Sequence, residues 1–137
     1  MRPALAPSPP QPLSLLAFDF GSRRIGVASG NSLTRAAAPL LTIAAQGEAR
    51  FAAIAALIAE WRPAALVVGV PFHPDGAAHV NTERARRFAR RLRARFGLPV
   101  HEVDERYTTV EARSSGARDL DAQAAALILE QHLAALP

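Results

Sequence analysis

The stretch Leu15-Leu16-Ala17-Phe18-Asp19-Phe20-Gly21-Ser22-Arg23-Arg24-Ile25-Gly26-Val27-Ala28 constrains the fold more than any other part of the chain. Two apolar runs separated by a short polar break read as strand, tight turn, strand. The break is too short for a crossover, so the two strands must pair antiparallel. One carboxylate, Asp19, interrupts the first run. Burying an unpaired carboxylate costs several kcal/mol. A strand this apolar therefore needs something to compensate Asp19, and a metal ion, a turn or a helix N-terminus are the candidates.

The remaining pattern predicts a mixed sheet. Strands are expected at about 13–20, 25–30 and, after Pro39, 40–45, forming an antiparallel meander. Phe51, Ile54, Leu57, Ile58 and Trp61 repeat at helical spacing and predict a helix over 47–61 that Pro63 ends, with Trp61 packing in the core. A short apolar run at 66–70 suits a buried parallel strand. Residues 71–78 form a loop with a Pro74-Asp75-Gly76 turn. A helix over 82–96 has Asn81 or Thr82 as N-cap and Gly97 beyond its end. A short strand at 100–103 and a helix over 120–136 follow, and residues 104–118 are only partly assignable. The order β-β-β-α-β-α-β-α gives an α/β fold with a five-stranded mixed sheet and helices on both faces.

The 137 residues suffice for one domain with a real core, expected over 13–137. The Pro-rich opening, 1–12, reads as a disordered leader without a signal peptide's apolar core. With no cysteine, thiolate metal sites, thiol nucleophiles and disulfides are excluded, which is compatible with a reducing cytoplasm, the expected location. No apolar run approaches the roughly 20 residues that span a bilayer, so no membrane partner is expected. The formal net charge is +4, and all 16 basic residues are arginine, whose forked guanidinium binds phosphate bidentately at any working pH.

Three acids stand at suggestive places. Asp19 ends the first strand, Glu105 follows the last strand and Asp121 opens the last helix. Each has a plainer explanation alone: a turn-forming Asp, a solvated loop residue beside Arg106, and a helix cap or dipole charge. Taken together they are more specific. The first and last strands should run parallel and end on the edge where open α/β sheets place their sites. Three carboxylates converging there repel unless cations hold them. Hard divalent ions with oxygen ligands fit, Mg²⁺ or Mn²⁺ above all, and two of them can drive phosphodiester hydrolysis.

An ordered set of segments then resembles the YqgF/RuvX family of Holliday-junction resolvases in the ribonuclease H-like superfamily. It comprises Phe18 through Ala28; Leu66-Val67-Val68-Gly69-Val70-Pro71 with Asp75-Gly76; Gly97-Leu98-Pro99-Val100; Asp104-Glu105-Arg106-Tyr107-Thr108-Thr109-Val110-Glu111-Ala112; and Asp121-Ala122-Gln123-Ala124-Ala125. The resemblance implies a ribonuclease H-like fold and a catalytic, metal-binding triad of Asp19, Glu105 and Asp121, with Asp104 as the alternative to Glu105. It implies branched DNA or a ribosomal RNA precursor (pre-16S) as substrate. Symmetric cutting of a four-way junction would require a homodimer. The chain departs from the family pattern in the short 113–120 segment before Asp121 and in His73, where Asn is common.

Seven arginines against one glutamate make the 82–96 helix lopsided. Arg84, Arg87 and Arg91 share one of its faces, and with Arg23, Arg24, Arg106 and Arg113 they are the candidate phosphate contacts. Tyr107 is a candidate for base stacking, and His73 or His79 for touching substrate. Two rivals remain at this stage: an actin-like phosphotransferase, which would need a second such subdomain, and a non-catalytic nucleic-acid or transcription-complex binding module.

Overall fold

A computed structural model describes residues 13–73, 75–105 and 119–137. The elements run β1 (Ser14–Phe20), β2 (Ile25–Asn31), β3 (Ala37–Ile43), α1 (Gly47–Trp61), β4 (Ala65–Val70), α2 (Thr82–Phe96), β5 (Val100–Asp104) and α3 (Leu120–Ala134). The expected leader, and the segment holding Arg106, Tyr107 and Arg113, lie outside the described residues.

The strands form one sheet in the order β3-β2-β1-β4-β5. β1–β2 and β2–β3 are antiparallel, whereas β1–β4 and β4–β5 are parallel. Alternation divides the side chains between two faces. Leu16, Phe18, Val27, Leu66 and Val68 pack against Phe51, Ile54 and Leu57 of α1 and Phe88, Ala89 and Leu92 of α2. Leu15, Ala17, Val67 and Val103 meet Ile128, Leu129 and Leu133 of α3, while Ala28 meets Ala125 and Ala126. Each large side chain buried this way contributes about 1.5–3 kcal/mol. β4 is covered on both sides, and all six of its residues are buried, the continuous apolar pattern of a parallel strand between helical layers.

The helix ends follow local chemistry. α1 stops where Arg62 adopts φ 46° and its N–H donates to the Ile58 carbonyl at 2.8 Å, with Pro63 next. α2 stops at Gly97, φ 66°, whose N–H donates to the Arg93 carbonyl at 3.0 Å. α3 is fastened at both ends. Its N-cap Asp119 accepts hydrogen bonds from the Ala122 N–H and the Thr42 hydroxyl, the latter at 2.5 Å. At its other end Arg35 donates to the carbonyls of Leu133, Leu136 and Pro137.

Two expectations are corrected. β3 begins at Ala37, so Pro39 lies inside it, opposite Ala28 and beside a register shift. Proline has no N–H to give a ladder, and an edge strand with a bulge tolerates that loss. Trp61 is 38% exposed rather than in the core, because the sheet has already closed over Phe51, Ile54 and Leu57 on the preceding turns. Among the described residues no helix is long and apolar enough to cross a membrane.

Candidate active site

Asp19 sits near the C-terminal end of β1 with its side chain on the α3 face, as the alternation after Leu15 and Ala17 dictates. Its register partners are Gly26 on β2 and Gly69 on β4. The row continues outward to Thr42 on β3 and Val103 on β5. The carboxylate is thus flanked on both sides by residues without a side chain, and each glycine admits something specific. A Cβ on Gly26 would lie 1.8 Å from the Asp121 carbonyl oxygen and 2.8 Å from the Ala122 nitrogen. The first turn of α3 therefore rests on bare backbone. A Cβ on Gly69 would lie 2.3 Å from Ile128 Cδ1 and 2.8 Å from Glu105 Oε2, so Gly69 makes room for the second acid.

Glu105 follows directly on β5, and its N–H donates to the Val70 carbonyl at 3.1 Å. That bond extends the β4–β5 pairing by one step and turns Glu105 inward to 6% exposure. Its carboxyl is hydrogen-bonded to that of Asp19. Asp104, the alternative, takes the opposite direction, and its carbonyl accepts from Gln131. Two carboxyls in contact cannot both ionise cheaply. Burial, opposed in part by the hydrogen bond from Glu105, pushes Asp19 up to about 6. Burial, then repulsion from Asp19, pushes Glu105 up to about 9. At neutral pH the pair therefore holds one proton between two acids.

Asp121 occupies the first turn of α3 and adds its repulsion to Asp19. The cap role belongs to Asp119 instead, so Asp121 is left with its carboxylate free for other contacts. It meets Arg24 from the β1–β2 turn, Nε to Oδ2 3.2 Å. The three predicted acids thus come to one corner of the molecule, with two in contact and the third held by an arginine. All three are hard oxygen donors of the type a divalent cation takes. Asp19 and Glu105 fit such an ion as they stand, short of one proton. Asp121 fits once it exchanges Arg24 for the cation, and among the described residues no three acid or histidine side chains are grouped as a ready-made metal site.

Arg23 is exposed beside Arg24, and its carbonyl accepts from Gln46 Nε2 at 2.6 Å. Arg84, Arg87 and Arg91 lie on α2, across the sheet from the acids. His73 and His79 face each other with ring centres 5.0 Å apart, on the segment between β4 and α2. Thr82 rather than Asn81 ties that segment down: its hydroxyl donates to the Pro71 carbonyl and accepts from the His79 N–H. Gly26 and Gly69 are the site residues that sequence reasoning passed over. The available signal was glycine inside an apolar strand, which marks a close approach of other atoms.

Comparison with known proteins shows the family and the fold. A family model described as "RuvX: Holliday junction resolvase" matches residues 13–135. A protein of Polaromonas sp. strain JS666 is 64% identical over 124 residues, covering 90% of each chain. One from Albidiferax ferrireducens is 67% identical over 120 residues, covering 88% of this chain and 77% of its own. Both bear the name "Putative pre-16S rRNA nuclease". Among solved structures, T. thermophilus RuvC in complex with Holliday junction substrate aligns with TM-score 0.55 at 16% identity, over 90% of this chain and 94% of its own. Archaeoglobus fulgidus Pelota aligns with TM-score 0.51 at 10% identity, over 89% of this chain and 34% of its own. The likeness to RuvC bears out the ribonuclease H-like sheet expected from the sequence.

Proposed function

The chain belongs to the RuvX family, and we propose that it hydrolyses phosphodiester bonds of structured nucleic acid with Mg²⁺ or Mn²⁺ held by Asp19, Glu105 and Asp121. The observation that carries this reading is the contact between the half-buried Asp19 and the buried Glu105, with Asp121 brought to the same corner by the contact of α3 on Gly26. Such a pair is costly for stability and has a use where a cation replaces the shared proton.

Bound there, a pair of divalent ions supplies an activated water and stabilises the departing 3′ oxygen. The protein's own residues prepare the site. Asp19, central in the sheet and flanked by glycines, would be the central acid holding the ions. Glu105 would hold a cation in its deprotonated form, so its proton has to leave the pair. Arg24 is ion-paired with Asp121, and in the loaded site its guanidinium, with Arg23 next to it, would be available to a substrate phosphate.

The names of the relatives above 60% identity favour precursor 16S ribosomal RNA as the substrate. A second reading, a four-way DNA junction cut by a homodimer, is favoured by the family model's description and by the RuvC-like fold. Purified protein tested against precursor 16S RNA, a four-way junction, duplex DNA and single-stranded DNA separates them. Cleavage is expected with Mg²⁺ or Mn²⁺ and is lost in chelator. Undiminished cleavage in excess chelator overturns the metal assignment, and the preferred substrate decides between RNA and junction.

A further inference from the structure

The arginines of α2 divide into two sets by their partners. Arg90 pairs with Glu83, Arg86 and Arg93 pair with Glu102, and Arg95 pairs with Glu48. Arg84, Arg87 and Arg91 form no ion pair among the described residues. These three, at i, i+3 and i+7, line one cavity of about 270 Å³ between α1 and α2, together with Arg50. Phe20, Phe51, Phe88 and Gly47 also line it, and among the described residues no acid does.

The cavity is built rather than accidental. Arg50 is only 8% exposed. Its Nε and Nη2 donate to the Ala45 and Ser22 carbonyls at 3.1 Å each, which fixes the guanidinium without neutralising it. Among the described residues no carboxylate pairs with it, and burial lowers its pKa. Arg91 is seated over the Phe51 ring, 4.8 Å from the centroid, and Arg50 lies 5.9 Å from that of Phe20. The N-terminus of α1 also opens here at Gly47, and its Gln46 cap makes no side-chain bond to the helix. The four guanidinium groups around this aromatic floor form no ion pair among the described residues, with Glu83 and Glu48 near enough only to feel the charge of Arg87 and Arg91, and the forked donors of the arginines match phosphate oxygens.

We propose that this cavity is a phosphate-binding site for the nucleic-acid strand, on the sheet face opposite the carboxylates. Phe20, in its lining, is the residue after Asp19, and consecutive strand side chains point to opposite faces. A strand passing around the end of β1 meets acids on one side and arginines on the other. The inference rests on the nuclease reading and extends it to how the substrate is held.

Two triple variants of the full chain test it. R84A/R87A/R91A empties the cavity wall, whereas R86A/R90A/R93A removes the same charge from the same helix through arginines already paired. Five of the six positions are exposed, whereas Arg93 is half-buried and donates to the Val100 carbonyl at 2.8 Å, so the melting temperature of each variant is measured first and R86A/R90A replaces the second triple if that one unfolds; Arg50 is left intact because its carbonyl bonds hold the α1 entry. Binding is measured in chelator against a labelled four-way junction and a labelled precursor 16S RNA fragment. The first variant is expected to lose affinity about tenfold or more for both. Its log-affinity against log-salt slope on the duplex arms should fall by about 0.9 per lost contact. The second should stay within about twofold, and cut positions should be unchanged in both. Equal losses in the two variants, or none in either, overturn the cavity and leave the nuclease reading intact. So does pyrophosphate that raises the wild-type melting temperature, but not that of R84A/R87A/R91A, while nucleic-acid affinity is unchanged. The cavity would then serve a free phosphate compound. A wild type that neither binds nor cleaves any nucleic acid overturns the nuclease reading and the cavity's assignment with it.

Discussion

At the end of β1 the two faces of the sheet handle excess charge in opposite ways. On the α3 face, the half-buried Asp19 and the buried Glu105 are pressed together, and both carboxyls are pushed above their ordinary pKa values. On the α1–α2 face, Arg84, Arg87 and Arg91 stand exposed around a cavity. Burying like charges stores free energy that a cation releases, whereas solvated like charges store little. Changes on the acid face should therefore register in chemistry and stability together, and changes on the basic face in binding alone.

The sharpest break of this comparison is Asp19→Asn. Cleavage should fall on the order of 10³-fold or more, since several kcal/mol of charge stabilisation go with the cation. The melting temperature in metal-free buffer should hold or rise, because one of two repelling acids is gone. A large fall in melting temperature would instead restore the turn-forming explanation of Asp19.

Gly26→Ala comes next. Its Cβ would meet the Asp121 carbonyl at 1.8 Å, so α3 must lift from the sheet. Destabilisation of about 1–3 kcal/mol is expected, with cleavage reduced because Asp121 moves away from Asp19. Chemical denaturation and turnover on the same sample check both, and an unchanged midpoint would mean that α3 does not rest on this glycine.

The pH dependence of stability gives a smaller effect with a definite sign. Both pair members have folded pKa values above the ordinary 3.8 and 4.5, at about 6 and about 9. The folded state binds more protons than the unfolded state, so their contribution is full below the ordinary values and is lost as pH rises through the raised ones. The metal-free melting temperature should thus decline from about pH 5 to about pH 9. Asp19→Asn should flatten the decline, and saturating Mg²⁺ should suppress it. A metal-free melting temperature that rises over that range would contradict the buried pair.

Arg24→Ala should have the smallest effect on stability, under about 1 kcal/mol, because the side chains of its ion pair are 66% and 32% exposed. By calorimetric titration, Mn²⁺ affinity should tighten modestly as Asp121 loses its competitor. Weaker Mn²⁺ binding would show that Arg24 positions Asp121 rather than competing for it.

Much of this was legible in the chain itself. The apolar run through Phe18, the Gly21–Arg24 break and the helical spacing of Phe51, Ile54 and Leu57 are local signals. They place β1, β2 and α1 where the structure has them, and the bounds expected for α1 and α2 coincide with those observed. Asp19 stood out because a charge in an apolar strand needs an explanation. Pro39 and Trp61 misled for a shared reason: each was judged by residue type, while an edge position and an already filled core decided its place.

The order of strands and helices, the anomaly at Asp19 and the family were determined by the sequence alone, because periodicity, turn chemistry and ordered motifs are properties of neighbouring residues. Only the tertiary structure decided which acids touch and which arginines are spent in ion pairs. Glu105 rather than Asp104 faces Asp19 because the bond from its N–H to Val70 sets the direction of the chain leaving β5. Asp119 rather than Asp121 caps α3 because Thr42, 77 residues earlier, holds it from β3. Arg84, Arg87 and Arg91 share a cavity with Arg50 because α1 and α2 pack side by side on one face. Each of these outcomes depends on which distant groups packing brings within reach, and the energy of a charge is set by that neighbourhood rather than by its place in the chain.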